Sequence, residues 1–365
     1  MRTSILLLTL AACRPTSTEA APVTVTATAT ATATVTAAAT APGPAIRSFF
    51  VTPSDSGLQP VVDAIAGARK SIRMTMFHLT QPDVENALVA AKARGVDVRI
   101  LLDGRLLEKP ASGEIAQRLV DHGITVTKSS PAFSITHVKA MVVDDARAMI
   151  LSLNLTRPYD HTRDYGIVTD DRGVVDEVIR VFEADVENAA SGTSKTPPLA
   201  DDALVWSPVD AEARLVRLVD SAQKTIAAST ENLGDKAMQE AFARAAGRGV
   251  AVRLLVPLCD ENSEPLRNVK WVAELDRKNV DARVMPPPAT HEQPYEHGKM
   301  IVVDGARMFI GSINFSENSM KRARELGIVF EDPAAIRTFS TAFDADWRFA
   351  APPPDEKSAS RDLCR

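Results

Sequence analysis

The chain of 365 residues is 45% hydrophobic, long and apolar enough to bury sizeable cores in two domains. Its formal net charge of −5 excludes a global electrostatic pull on nucleic acid or anionic lipid. Aromatic residues, at 5%, weigh against a groove that stacks single-stranded bases.

The N-terminus carries Arg2, the apolar run Ile5-Leu6-Leu7-Leu8 and the small residues Ala11-Ala12 before Cys13. That is the make-up of an export signal over residues 1–12, too short to span a bilayer. Leu10-Ala11-Ala12-Cys13 resembles a bacterial lipobox, which implies that Cys13 becomes the lipid-modified first residue of an envelope lipoprotein. Arg14 rather than Asp follows it, favouring an outer-membrane or surface address, with the folded part periplasmic or extracellular. Over residues 13–45 a Thr/Ala/Val/Pro tract offers no large apolar face to bury and is expected to be a flexible tether.

Val61, Val62 and Ile65 predict an amphipathic helix, followed by a strand at 70–74. Val84, Ala87, Leu88 and Ala91 recur at helical spacing, with Gly95 placed to cap the helix before a strand at 96–102. Ile115, Leu119 and Val120 give a further helix. The segment from Lys224-Thr225-Ile226 to Arg248-Gly249-Val250 and on to Val256 repeats the strand, helix, Gly and strand order. This alternation predicts an α/β fold: two similar layered domains with mixed, largely parallel sheets, each completed by a hairpin and related by internal duplication. The first spans 46–190, a small, polar, Pro-rich linker 191–203, the second domain 204–350 and a tail 351–365. Export would put Cys259 and Cys364 in an oxidising compartment, open either to a disulfide tying the tail to the second domain or to remaining free thiols.

The hairpins carry the chemistry. His137-Val138-Lys139, four residues, Asp144, seven residues and Ser152-Leu153-Asn154 recur as His297-Gly298-Lys299, Asp304 and Ser312-Ile313-Asn314 with identical spacing. On a strand, His and Lys two apart share a face, and Asp144-Asp145 or Asp304-Gly305 turns the chain back through Met149 or Phe309. An imidazole with an ordinary pKa of about 6.5 serves as a nucleophile when neutral and as an acid when protonated, so two supply both roles. Neighbouring Lys and Asn donors suit a phosphoryl transition state. Downstream, Arg163-Asp164 recurs as Arg324-Glu325, and a carboxylate there can accept the second imidazole N–H and fix the ring. A two-fold arrangement of the halves would bring both His-bearing strand ends into one cleft bordered by Phe77-His78 and Glu231-Asn232. Glu231 and Asn232 are therefore candidate substrate contacts. The basic run Lys321-Arg322-Ala323-Arg324 is either a phosphate-focusing cluster or, more ordinarily, a solvated face. There is no H-x-H, H-E-x-x-H or C-x-x-C spacing, so no metal or other cofactor is expected.

The duplicated H-x-K-x4-D-x6-G-S-x-N pattern resembles the phospholipase D superfamily, which includes phospholipases D, cardiolipin synthases and nucleases, and the resemblance covers the chain from about Ser48 to Ala350. It implies a catalytic group of His137, His297, Lys139, Lys299, Asp144, Asp304, Asp164 and Glu325, with Ser152, Asn154, Ser312 and Asn314 binding substrate. By that resemblance His137 attacks phosphorus to give a phosphohistidine and His297 protonates the leaving alcohol. The first copy departs from the pattern with Leu151 where Gly is usual, expected to add bulk beside the phosphate, and with Asp164 in place of Glu. The activity expected is hydrolysis of a phospholipid to phosphatidic acid and headgroup alcohol, by a monomer with an internal pseudo-dimer held at a membrane through its lipid anchor. The alternatives are a nuclease, a cardiolipin-synthase-like phosphatidyltransferase and, because of Leu151, an inactive phosphate- or lipid-binding module.

Overall fold

The computed structural model describes residues 43–54, 56–259, 268–354 and 364. The leader, Cys13 and the tether as far as residue 42 lie outside the described residues. The first half runs β1 (Ile46–Thr52), α1 (Gln59–Ala66), β2 (Ser71–Met76), α2 (Pro82–Ala93), β3 (Asp97–Leu102), α3 (Pro110–Asp121), β4 (Thr125–Lys128), β5 (Lys139–Val143), β6 (Arg147–Leu151), β7 (Thr162–Thr169) and α4 (Arg172–Ser191). The second half runs β8 (Leu204–Ser207), α5 (Ala211–Asp220), β9 (Thr225–Ser229), α6 (Lys236–Gly247), β10 (Ala251–Pro257), α7 (Asn268–Asp276), β11 (Asp281–Met285), β12 (Tyr295–Glu296), β13 (Met300–Val303), β14 (Arg307–Gly311), α8 (Glu317–Lys321), β15 (Glu325–Phe330) and α9 (Pro333–Trp347).

Local chemistry sets these boundaries. In α2 Pro82 opens the first turn, Asp83 and Glu85 complement the dipole there, Lys92 does so at the far end, and Val84, Leu88 and Ala91 are buried. Gly95, at φ 90, takes the left-handed conformation that ends it, as Gly249 does after α6. The helix on Ile115 and Leu119 forms as α3, but Val120 faces outward at 47% exposure, so it lies off the apolar stripe.

The first sheet has the order β1-β7-β6-β5-β2-β3-β4, with β12 also pairing to β7, and the second the order β11-β10-β9-β13-β14-β15-β8. The sheets are mixed, but the expectation that they are largely parallel needs correction. Parallel pairing within each half is confined to β2-β3-β4 and to β9-β10-β11. The motif hairpin enters antiparallel beside β2 or β9, and β7 or β15 and then β1 or β8 continue antiparallel. A crossover helix suits parallel neighbours, whereas the tight Asp turns permit only antiparallel ones.

Side chains alternate across the hairpins. Met141 and Val143 of β5 point into the core under α1 and α2, while Ala140 and Val142 point into a different cluster that also contains Trp206, Met300, Ile310, Phe330 and Phe339. That shared cluster joins both halves, with Val174 and Val181 of α4 and Phe343 of α9. Both halves therefore form one compact body with a seam between matching hairpins. Cys259 and Cys364 form a disulfide, and Cys364 is buried in the second half's own core.

Candidate active site

Each histidine is carried by one half and docked on the other. Just before β5, His137 N–H donates to the Arg324 carbonyl at 2.8 Å, and Arg324 N–H donates to the Ile135 carbonyl at 2.8 Å. The mirror arrangement pairs Glu296, just before His297, with Arg163 of β7 in parallel register. The residues following these arginines are Asp164 and Glu325, so the crossing delivers each carboxylate to the imidazole of the opposite half. His137 Nδ1 lies 2.8 Å from Glu325 Oε2, and His297 Nδ1 lies 2.8 Å from Asp164 Oδ1. With Nδ1–H donated to a carboxylate, Nε2 is the nitrogen left for chemistry. Asp164 compensates for its missing methylene with a second partner, the Ser152 hydroxyl, at 2.6 Å.

The lysines are buried beside the rings. Lys139 and Lys299 each donate Nζ–H to the carbonyl of the histidine two residues earlier, and their side chains are 1% and 0% exposed. Burial and the nearby Lys299 lower the Lys139 pKa to about 7, against Glu325, Asp164 and Glu231. Burial and Lys139 likewise lower that of His137, against Glu325, and the net downward shift favours the neutral imidazole. An anionic phosphoryl group would restore the full charge of such a lysine.

Glu231 belongs to the site. Its Oε2 lies 3.4 Å from Lys299 Nζ and 3.8 Å from His297 Nε2, and its Oε1 accepts from the Tyr295 hydroxyl at 3.0 Å. Asn232 contributes through its backbone, donating N–H to Asn314 Oδ1 at 3.1 Å, which together with the Thr230 hydroxyl occupies that oxygen. The Asn314 side-chain N–H₂ is thereby left as the donor. In the first half Asn154 Oδ1 is buried with no hydrogen-bond partner.

Several expectations are corrected. Asp144 and Asp304 are not beside the imidazoles but at the opposite ends of β5 and β13. Asp144 accepts from the backbone N–H groups of Arg69, Lys70 and Ser71, and Asp304 from those of Gln223, Lys224 and Thr225. They lock the hairpin turn onto the start of β2 or β9. Ser152 and Ser312 are fully buried and engaged with Asp164 and the Leu326 backbone, so they brace the site rather than face a substrate. Leu151 adds no bulk at the phosphate: it is 1% exposed and packs in the first half's core beside Phe50. Gly311 is glycine because a Cβ there would run into Gly327 and the Leu326 carbonyl, a close approach of β14 and β15. Arg324, read as part of a basic surface run, is fully buried on Asp185 at 2.8 Å and beside the Trp206 and Phe133 rings.

The framework under the histidines went unrecognised in the sequence. Arg163 binds Asp346 at 2.6 Å as Arg324 binds Asp185, so each docking strand is pinned by a buried Arg–Asp pair from α9 or α4. Phe182-Glu183-Ala184-Asp185 and Phe343-Asp344-Ala345-Asp346 are a repeated signal that would have revealed it. Glu296, where the first half has Thr136, is fully buried with neither oxygen hydrogen-bonded. Burial and the Asp346 carboxylate push its pKa well above the usual range, against Arg163. Phe77 packs edge-on against the His137 ring, with centroids 4.6 Å apart.

Residues 61–186 and 215–347 match the family described as cardiolipin synthase, PLD-like domain. The chain is 25% identical to phospholipase D Z of Dictyostelium discoideum, over 78% of this chain and 83% of that protein. It is 24% identical to the probable cardiolipin synthase YwiE of Bacillus subtilis, over 71% of this chain but 57% of that protein. Among solved structures, phosphatidylserine synthase of Haemophilus influenzae superposes with a TM-score of 0.66 at 12% identity, covering 88% of this chain and 92% of that one. The two crossed His-carboxylate pairs, the buried lysines and a family match spanning both halves converge: the chain belongs to the phospholipase D superfamily.

Proposed function

We propose that the protein cleaves a phospholipid phosphodiester at the headgroup through a phosphohistidine. The observation that carries this is the pair of imidazoles, each held by its Nδ1 on a buried carboxylate of the other half, with a buried lysine beside each. One ring attacks phosphorus and the other protonates the leaving oxygen; the second ring then takes a proton from the incoming hydroxyl. His137 is the nucleophile and His297 the acid in this scheme. Water as acceptor gives phosphatidic acid. A second reading, phosphatidyl transfer to another alcohol, is favoured by the cardiolipin synthase description of the matching family.

Lipid is preferred to nucleic acid because of the net charge of −5 and because a carboxylate, Glu231, stands beside His297 in the cleft. We further propose export with a lipid anchor on Cys13, for which the Cys259–Cys364 disulfide is support, since such bonds persist in oxidising compartments. Vesicles of phosphatidylcholine, phosphatidylethanolamine or phosphatidylglycerol, incubated with and without a primary alcohol, test the substrate. Phosphatidic acid, joined by the phosphatidyl-alcohol when alcohol is present, is expected. Salt-sensitive cleavage of oligonucleotides without lipid turnover would overturn it.

A further inference from the structure

The two imidazoles share their main contacts, although His137 Nδ1 also lies 3.1 Å from the Ser312 carbonyl. Both give Nδ1 to a carboxylate, and both have a buried lysine bonded to their own carbonyl. The difference in charge lies just past the ends of β2 and β9, where the repeat places Phe77 in one half and Glu231 in the other. The Phe77 ring stands against His137, with Lys139 Nζ 5.0 Å from its centroid. The Glu231 carboxylate instead reaches to 3.8 Å from His297 Nε2, held there by the Tyr295 hydroxyl and Lys299.

We propose that Glu231 is the positioning residue that keeps the proton on His297 Nε2 and so gives the two near-equivalent histidines opposite roles. The inference rests on the phosphohistidine reading above and deepens it. Imidazolium at His297 lies between two carboxylates, Asp164 at Nδ1 and Glu231 toward Nε2. His137 has one carboxylate, Glu325, while an aromatic ring fills the place of the second. The cations facing the pair, Lys139 and Lys299, sit one beside each ring, Lys299 also 3.4 Å from Glu231 and Lys139 over the Phe77 ring. Although burial opposes its charge, Lys299, His297 and His137 hold the Glu231 carboxyl well below the usual carboxylate range, so it is ionised wherever the enzyme would work.

The steps balance around that proton. His137 Nε2 bonds to phosphorus with its lone pair, the bond from phosphorus to the leaving oxygen breaks, and that oxygen takes the proton from His297 Nε2. In the second step the incoming hydroxyl gives its proton to His297 Nε2 as its oxygen bonds to phosphorus, and the P–N bond breaks to return the lone pair to His137. Glu231 favours the charged His297 at the start and at the end of the cycle, and touches neither phosphorus nor the bonds exchanged.

The test compares leaving groups. A p-nitrophenyl phosphodiester needs little protonation to lose its aryl oxide, whereas a phosphocholine or phosphoglycerol ester needs an acid. With Glu231→Gln, the burst of p-nitrophenolate that reports phosphoenzyme formation is expected within about threefold of the parent enzyme. Headgroup release from the alkyl ester at pH 8 should fall by about tenfold or more, and the high-pH limb of its kcat/KM profile should move down by about one to three units. The sign follows from removing a negative charge beside an imidazolium, which then loses its proton at lower pH. Glu231→Asp should recover part of the limb. Equal losses on both substrates, or an unmoved limb, would overturn the role of Glu231 while leaving the phosphohistidine intact. No phosphoenzyme from the aryl ester in the unaltered protein would overturn the reading beneath it as well.

Discussion

The two halves of the molecule agree in their scaffolding and differ at the site, and the division is physical. Both halves fasten the hairpin turn with an Asp at positive φ, 58° for Asp144 and 54° for Asp304, that collects neighbouring backbone N–H groups. Both pin the docking strand with a buried Arg–Asp pair. These devices carry no directional chemistry, so two copies serve as well as one. At the cleft the copies diverge: Phe77 against Glu231, Thr136 against Glu296, Asp164 against Glu325. A reaction that needs one nucleophile and one acid cannot use two identical imidazoles, and the divergent positions are those that set charge around the rings.

Loss of either ring should cost the most. His137→Ala and His297→Ala should each lower turnover of an alkyl phosphodiester by at least about 10³-fold, and the double variant should be hardly worse than either single one, because attack and protonation act as a unit. Headgroup release followed under single-turnover conditions checks it. Independent losses that multiply would mean that the two sites work separately. Asparagine variants separate the roles: phosphoenzyme that forms from an aryl ester in His297→Asn but not in His137→Asn supports the assignment, and the reverse swaps it.

Loss of a crossed carboxylate should cost less. Glu325→Gln damages His137, which belongs to the other half, and Asp164→Asn damages His297; each removes the charge that holds Nδ1–H while keeping nearly the same shape. Losses of about 10² to 10⁴ in kcat are expected. Glu325→Gln should slow phosphoenzyme formation even from the aryl ester, whereas Asp164→Asn should act mainly when the leaving group is an alcohol. If each substitution instead affected the step assigned to the histidine of its own half, the crossed pairing would be wrong.

The sequence made the histidines, lysines and their carboxylates legible because a repeated spacing is informative where a single motif is not. It also displayed the order α1-β2-α2-β3-α3 and its counterpart β9-α6-β10, since apolar periodicity is local, but not α4, α5, α7 or α9. The crossing was not legible: nothing in one chain says that Glu325 reaches His137 rather than His297, because that depends on Thr136 and Arg324 meeting across the seam. β8 is not legible because four residues carry little periodicity, and β1 because its seven residues, mostly part-exposed, do not alternate cleanly. Leu151 misled for a related reason. A residue beside a catalytic motif was assumed to face the site, yet adjacent strand residues face opposite ways, and Ser152 and Leu151 do so here.

The smallest expected effect falls where the motif pattern promised one of the largest. Asp144 and Asp304 close the H-x-K-x4-D signature, yet each spends its carboxylate on backbone N–H groups at the far end of the hairpin. Asp144→Asn and Asp304→Asn keep a side chain that tolerates positive φ and lose the charge, so they should leave kcat within about twofold and cost about 1 kcal/mol of stability each, kept modest by solvent near the turn. The pH dependence has a definite sign. Partial burial works against these carboxylates, but the N–H donors of Lys70, Ser71 and Arg69 hold Asp144 below the ordinary aspartate range, and those of Thr225, Gln223 and Lys224 do the same for Asp304. Their contribution is fully present above the unfolded value of about 3.9 and is lost as pH falls through the lower folded value. Urea midpoints should therefore separate parent and variant at pH 7 and converge toward pH 2. A variant as stable as the parent at pH 7 but slower by tenfold or more would return these aspartates to the catalytic group.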